Sequence, residues 1–504
     1  VLERPGDLEA RLAYAEALDA AADPLGEFIR LECRLSDGPR AEGSLRDWDR
    51  RHALFDAHQV AWVGRLAEIG AYASLQRGLV TGVEVDLDAY LEHGEEIFGR
   101  HPVRSLSIRG VRGRMDELLD SRWIGRVEYL SLHGGDPPDG RGPTDDDVAE
   151  LAARIGPLDL RGLGLERNKE VGPASVRAVL DAPWAGRLEY LGLGWTSSGD
   201  EGAGLLASSD RLGDLRRLDL SASEMSASGL QALASSPTLA RLGLTEFETS
   251  WNDFGPEDQA RCLRSPVMAR VERVHLDGRL AGDLVDALTG SETLGALGSI
   301  FIANDWGLET AAVRKLANWA GLSRVRSLTF CLTMVTDEQL GILAASPHLA
   351  DLACFSLSEN SITDDGVERL CRSPAWRGLT HLSIDRNTLT ERSVRAILGA
   401  GWFPGLQALD LHASYDIGDA GAAALANYRG ATRLRTLVLS LAGISDVGAL
   451  RLAEASFVSQ LWTLWLLGNE KISPAVGERL QKRLGRRVHL HRPEAGPRRA
   501  PPIA

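Results

Sequence analysis

Two sets of residues in the second half of the chain are of types that could do chemistry. Cys354, His381 and Asp410 follow one another at nearly equal intervals. A thiol, an imidazole and a carboxylate brought together make a nucleophile, its base and the group that orients the base. Asp385 and His412, separated by the same interval as Cys354 and His381, could join His381 in holding a metal ion. Neither set carries the rest of its machinery. No glycine-rich turn accompanies Cys354 to hold an oxyanion, and a zinc site wants three or four ligands that converge. A surface Cys beside a surface His, and a solvated Asp385–His412 ion pair, explain the same residues more simply. The sequence also has no Walker loop, no GxSxG, no HExxH and no dinucleotide fingerprint. No catalytic residue, cofactor or metal ligand is therefore expected.

A third set suits binding. Trp195, Trp251 and Trp306 each follow an apolar stretch, Phe247 lies close to Trp251, and Tyr190 and Phe301 sit within such stretches. Exposed aromatic side chains in a line are frequent anchors of protein interfaces. The competing reading folds each ring over its own loop. The expected partner-binding site is Tyr190, Trp195, Phe247, Trp251, Phe301 and Trp306. The stretch from Glu246 to Asp253 reads as a loop inserted in a long unit, and such loops often carry binding. Trp123, Trp184, Trp376 and Trp402 each precede a central leucine at much the same distance, a recurrence that reads as packing.

What would set these residues in rows is a repeat. The pattern LxxLxL, with L any large apolar residue, recurs with central positions Leu106, Leu130, Leu163, Leu191, Leu218, Leu242, Val274, Ile300, Leu328, Phe355, Leu382, Leu409, Leu437 and Leu464. From Ile300 onward the spacing varies by no more than a single position. Side chains alternate faces along a strand, so the two apolar residues of LxL point inward and their neighbours outward. Asn168, Asn360, Asn387 and Asn469 follow shortly after the last apolar position, placed to hydrogen-bond the turning backbone. The other half of each unit reads as a helix. Thr144, Thr336, Thr363 and Ser445 are its N-caps, with Gln339 completing a capping box, and Ser-Pro or Ala-Pro pairs at Pro183, Pro237, Pro266, Pro347 and Pro374 stop it. A strand and a helix in about 28 residues is the long class of leucine-rich repeat.

Residues 100–492 thus resemble the ribonuclease-inhibitor-like leucine-rich repeats. The resemblance implies an α/β solenoid, curved, with its parallel sheet on the concave side and its helices on the convex side. Residues Arg11–Leu18 followed by Asp23–Leu31 resemble the bacterial repeat-companion domain, although Glu16-Ala17 stands where that family has Asp-Trp. This resemblance implies a bacterial source and no particular chemistry. Residues 45–69 read as a further helix, and Val83, Val85 and Leu87 as an alternating strand. The expected organisation is a helical companion domain and cap over 1–70, about 14 repeats over 71–492, and a disordered Pro/Arg tail over 493–504.

Bulk properties agree. A chain of 504 residues exceeds what one globular core organises, whereas a repeat array grows by adding units. The formal net charge of -14 argues against a nucleic-acid footprint. Five cysteines without a CxxC argue for a reducing, cytoplasmic setting. No membrane span or signal peptide is read, and the start at Val1 leaves room for a lost leader. The expected function is a non-enzymatic scaffold that binds a protein partner on the concave face or rim, as sensor or adaptor in a bacterial regulatory or defence assembly. A regulator of an enzyme, either inhibitor or GTPase-activating protein, is the alternative. A hydrolase built on Cys354 and His381 is the remote one.

Overall fold

Three helices precede the first strand. The structure, a computed structural model, describes residues 7–36, 42–134, 140–154, 159–277, 282–303 and 309–490. The Pro/Arg tail expected over 493–504 lies outside the described residues. Helix α1 (Leu8–Ala20) starts where the Asp7 carboxylate accepts the Ala10 N–H at 3.0 Å. It packs on α2 (Pro24–Ser36), which packs on α3 (Glu42–Glu68), where Phe28 meets Trp62 with ring centroids 4.7 Å apart. Arg11 is 3% exposed, and its guanidinium donates to the carbonyls of Gln76 and Arg77. Those two carbonyls end β1 (Tyr72–Gln76) and begin the turn into β2 (Leu79–Asp86), its antiparallel partner. The helical segment is thereby clipped to the start of the sheet.

The chain forms two compact units, Val1–Phe254 with Ser265–Ala269, and Gly255–Arg264 with Arg270–Ala504. In the first, β2 is followed in parallel by β3 (Ser105–Arg109), β4 (Tyr129–His133), β5 (Gly162–Gly164), β6 (Tyr190–Gly192), β7 (Arg217–Asp219) and β8 (Glu246–Glu248). In the second, parallel neighbours run through β9 (Arg273–Asp277), β10 (Ser299–Ala303), β11 (Ser327–Cys331), β12 (Cys354–Ser356), β13 (His381–Ser383), β14 (Ala408–Asp410), β15 (Thr436–Val438), β16 (Thr463–Trp465) and β17 (Val488–His489). Helices stack on helices of the next repeat as strands pair with strands, so the protein is an α/β leucine-rich repeat solenoid.

Within each unit the predicted central residues are register partners, with one exception. Phe247, not Leu242, pairs with Leu218. Leu242 ends a helix that Ser236 caps and Pro237 begins, and Gly243 closes it in the left-handed region at φ 66°. The helix happens to space Leu239, Leu242 and Leu244 as a strand unit would. With Phe247 central, the intervals to Leu218 and Val274 become nearly equal, and Glu246–Glu248 is the strand itself rather than a loop insertion. Leu87, read as strand, instead starts the helix Leu87–Arg100.

Three kinds of side chain bridge successive repeats where a short strand or helix leaves backbone groups unpaired. The first is the asparagine that closes the turn after some of the strands. Asn387 donates to the Leu357 carbonyl at 2.7 Å and accepts the Ile362 N–H at 3.0 Å, both in the preceding repeat. Asn360 and Asn469 bind in the same way. So does Asn252, whose place in the series the corrected register reveals. The second is an aspartate early in one helix that accepts from the N-cap of the next: Asp364 from Thr390 and Ser393, Asp419 from Ser445, Asp200 from Ser226. The third is the serine before the helix-stopping proline. Ser236 donates to the Ala207 carbonyl and Ser346 to the Ala317 carbonyl, each at the end of the preceding helix.

Leu382 is 1% exposed between its neighbours Phe355 and Leu409. Truncating it to Ala is expected to cost about 2–5 kcal/mol in urea unfolding; an unchanged midpoint would overturn the register. The bridging aspartates are held below the ordinary carboxylate range. At Asp200 the Ser226 hydroxyl does this; at Asp364 and Asp419 burial pulls the other way and is outweighed by hydrogen bonds from Ser393, Thr390 and Ser445. A folded-state pKa below the unfolded one gives stability that is complete above about pH 4 and lost as pH falls through the folded value. Asp364→Asn is therefore expected to lower the melting temperature at pH 7 and to converge with the parent chain below about pH 3.

Candidate functional site

In the second unit, β12 and β13 place Cys354 and His381 directly opposite one another, both half-buried. The Thr380 hydroxyl lies 2.8 Å from His381 Nδ1. Asp410 is paired in register with Ser383 rather than with His381, and its Oδ1 accepts the His412 backbone N–H at 2.8 Å. Burial pushes its carboxyl up to about 7, the His412 N–H opposes this, and Asp385 adds to it by repulsion. Asp385 itself receives hydroxyl hydrogen bonds from Ser358 and Ser383. Burial lowers the His412 imidazole, aided by Arg386. Each carboxylate is thus satisfied locally. Among the described residues no group of three or more His, Cys, Asp or Glu is arranged to hold a metal ion. Burial raises the thiols of Cys262 and Cys371 to about 12 and raises that of Cys331, which makes all three poor nucleophiles.

The first unit brings together part of the predicted aromatic set. Trp195 and Trp251 stand at the same place in the turns after β6 and β8 and are 50% and 52% exposed. Ala222 holds that place after β7. Backbone hydrogen bonds carry the ladder to this point: Trp195 N–H donates to Ser221 at 2.6 Å and Ala222 N–H to Ser250 at 2.8 Å. All three residues have left-handed φ, of 61°, 47° and 62° in chain order. So do Arg167, Leu332, Glu359, Arg386, Ala413, Leu441 and Gly468 at the equivalent turns, so the conformation belongs to the repeat and the choice of tryptophan does not. Tyr190 is half-buried in β6. Its hydroxyl donates to Glu166, and the Arg217 guanidinium lies 4.8 Å from its ring centroid.

The remaining predicted residues are elsewhere. Phe247 is 7% exposed and belongs to the core, because it is the inward residue of β8. Phe301 lies in the second unit, half-buried, edge-on to His275 at 4.4 Å. Trp306 lies outside the described residues and, counted from Ile300, is out of step with Trp195 and Trp251. The tryptophans read as packing behave so: Trp376 is buried against Phe355 at 4.7 Å and Trp123 stacks on Phe98 at 5.8 Å.

Sequence reasoning missed the carboxylates beside this row. Gly164, Gly192 and Gly194 leave the outward face of β5 and β6 and the turn after β6 without side chains. The Glu166 carboxylate lies over Gly164 and Gly192, and that of Asp219 beside Gly194, where an added Cβ would collide with them. Burial lifts the Glu166 carboxyl, the Tyr190 hydroxyl counteracts this, and Asp219 lifts it further. Burial also lifts Asp219, against hydrogen bonds from Ser221 and with repulsion from Glu248. Glycine at outward strand positions in adjacent units was the available signal. At the leading ends of these strands, Asp159, Arg161, Arg187, Glu189, Asp214 and Arg216 line an open cleft of about 420 Å³. Its charges are paired across it, as in Arg161–Glu189 at 3.1 Å and Arg187–Asp159 at 2.9 Å.

Comparison with known proteins adds a match to the Leucine Rich repeat family over residues 350–371. No curated protein matches the chain in sequence. Similar solved structures include the yeast Rad7–Elc1 complex, at 15% identity over 56% of this chain and 76% of that one, with a TM-score of 0.32. An internalin from Listeria monocytogenes is 14% identical over 70% of this chain and 90% of its own, with a TM-score of 0.36. A complex of TLR13 with ssRNA13 is 15% identical over 72% of this chain and 56% of its own, with a TM-score of 0.36. Among the described residues no helix is long and apolar enough to cross a membrane.

The corrected register separates two aromatic residues that are close neighbours in sequence. Phe247→Ala is expected to cost about 3–5 kcal/mol because it opens a cavity in the core. Trp251→Ala is expected to stay within about 0.5 kcal/mol of the parent, as surface substitutions do. Equal losses in denaturant titration would contradict the placement of both.

Proposed function

We propose that this chain is a non-catalytic scaffold that binds a protein partner, and that the binding row is Trp195–Ala222–Trp251 with the flanking open face of β5 to β8. One observation carries the reading: two half-exposed indoles stand at the same register two strands apart on a ladder fixed by backbone hydrogen bonds. Neighbouring strands are about 4.8 Å apart, so the indoles project about 10 Å from one another. Large aromatic side chains held rigidly and half in water cost little conformational entropy to bury, and such residues dominate interface energies. The acidic balance of the chain, formally -14, favours a basic partner and disfavours nucleic acid. An adaptor or sensor in a bacterial assembly is the role we assign, with the solenoid as the rigid support.

The Cys354–His381 pair stays outside this proposal. Asp385 accepts the Ser358 and Ser383 hydroxyls, and Asp410 accepts the His412 backbone N–H and pairs in register with Ser383 rather than with His381.

The test is capture of partners from a native lysate by the parent chain and by two double variants. Trp195→Ala with Trp251→Ala is expected to weaken retention of the specific partner at least tenfold at unchanged melting temperature. Cys354→Ser with His381→Ala is expected to retain it fully. Retention that survives loss of both tryptophans would overturn the assignment.

A further inference from the structure

The charges that line the cleft at the leading ends of β5, β6 and β7 are ordered. Asp159, Arg187 and Asp214 stand four residues before the central leucine of successive repeats, and Arg161, Glu189 and Arg216 two residues before it. The outer row therefore reads minus, plus, minus, and the inner row plus, minus, plus. Along each row and across each strand, neighbours are opposite in sign. Backbone hydrogen bonds hold the inner row in step. The Glu189 N–H donates to the Arg161 carbonyl at 2.6 Å and the Arg216 N–H to the Glu189 carbonyl at 2.9 Å. Neighbouring strands lie about 4.8 Å apart, so each row spans about 10 Å.

Within one chain the pattern is used only in part. Arg187 pairs with Asp159 at 2.9 Å and Arg161 with Glu189 at 3.1 Å, and Glu189 also accepts the Tyr129 hydroxyl at 3.0 Å. The alternation continues into β7, where among the described residues Asp214 and Arg216 form no ion pair. The Arg216 guanidinium donates instead to the carbonyls of Leu215 and Leu242, and the Asp214 side chain is exposed. Ion pairs inside the chain thus account for the order in β5 and β6 and leave its continuation in β7 unexplained. A second copy of the same surface accounts for all of it. A turn of 180° about an axis along the rows, midway between them, lays outer row on inner row with the strands in the same order. Asp159 then faces Arg161 of the second copy, Arg187 faces Glu189, and Asp214 faces Arg216. Each contact occurs twice, as two-fold symmetry requires. A two-fold across the rows at β6 would set Asp159 on Asp214 and Arg161 on Arg216, and is repelled.

We propose that the leading ends of β5, β6 and β7 are a self-association surface, on which two copies of this chain meet through the alternating charges of the cleft. The contact is small and its ion pairs are exposed, so it is reversible and weakened by salt. Its specificity comes from the order of the charges, because any slip by one strand sets like charges together. The proposal does not rest on the tryptophan row, which lies at the trailing ends of the strands. Two associated scaffolds present that row twice, which strengthens the hold on a partner that reaches both.

The test is sedimentation equilibrium of the full chain over a concentration series, at about 0.05 M and about 0.5 M salt. The parent chain is expected to self-associate at low salt, with a dissociation constant about tenfold higher or more at high salt. Asp214→Arg sets an arginine against Arg216 of the second copy, and Arg216→Asp sets an aspartate against its Asp214. Each variant alone is expected to raise the low-salt dissociation constant about tenfold or more. Mixing the two variants makes one chain acidic and the other basic at β7, and the mixture is expected to associate as the parent does. The Asp214 side chain makes no bond within its own chain among the described residues, so its replacement leaves the repeats intact, which an unchanged melting temperature checks. Alternation that serves one chain alone gives no rescue on mixing. A parent chain that stays monomeric at every concentration at low salt overturns the proposal. So does an Asp214→Arg chain that associates like the parent, or a mixture that associates no more tightly than its components.

Discussion

Short strands depend on side chains to close the turns that follow them, and the interaction that does so here is the buried asparagine amide. Asn252, Asn360, Asn387 and Asn469 each donate to a carbonyl of the preceding repeat and accept N–H groups from its turn. Without that amide each of these turns would leave several buried backbone groups unpaired, at about 1–3 kcal/mol each. The geometry it fixes has two consequences. The residue before it takes the left-handed φ that these turns share, as Trp251, Glu359 and Arg386 do. The strand before it is held in register with its neighbour, which keeps the outward residues of successive repeats in rows. The aspartate and serine bridges perform the same task for the two ends of each helix.

Most of this architecture was legible in the sequence, because the apolar pattern and the bridging residues are both local. Leu382, Leu409 and Leu437 recur at the repeat period and each is buried. Thr336 and Gln339 form the capping box that their spacing implies. The failure at Leu242 has a physical cause. A short helix started by Pro237 offers Leu239, Leu242 and Leu244, which satisfies a pattern written for strands, and only the asparagine distinguishes the two. Counting back from Asn252 by the interval that separates Asn387 from Leu382 gives Phe247 and removes the error.

The candidate site was less legible, since it depends on which residues the register sets side by side. Trp195 and Trp251 share a position only once β8 is centred on Phe247, and Phe301 belongs to the other unit. The carboxylates next to them come from Glu166, Asp219 and Glu248, far apart in sequence and brought together by glycines that let side chains lie flat on the sheet. Composition gives no hint of that; outward glycines in consecutive strands do. The same register sets Cys354 opposite His381 and Asp410 opposite Ser383.

The proposed binding draws on rigidity. A surface whose anchors are positioned by backbone ladders loses little freedom on meeting a partner. Native-state hydrogen exchange on Asn387→Ala tests the underlying claim most directly. The Ile362 amide, which the Asn387 side chain accepts at 3.0 Å, is predicted to exchange about tenfold faster or more, as loss of about 1.4 kcal/mol or more requires. The Met225 amide, held by Asn252, is predicted to keep its protection. Unchanged protection at Ile362 would show that the asparagine amides do not hold the repeats in register.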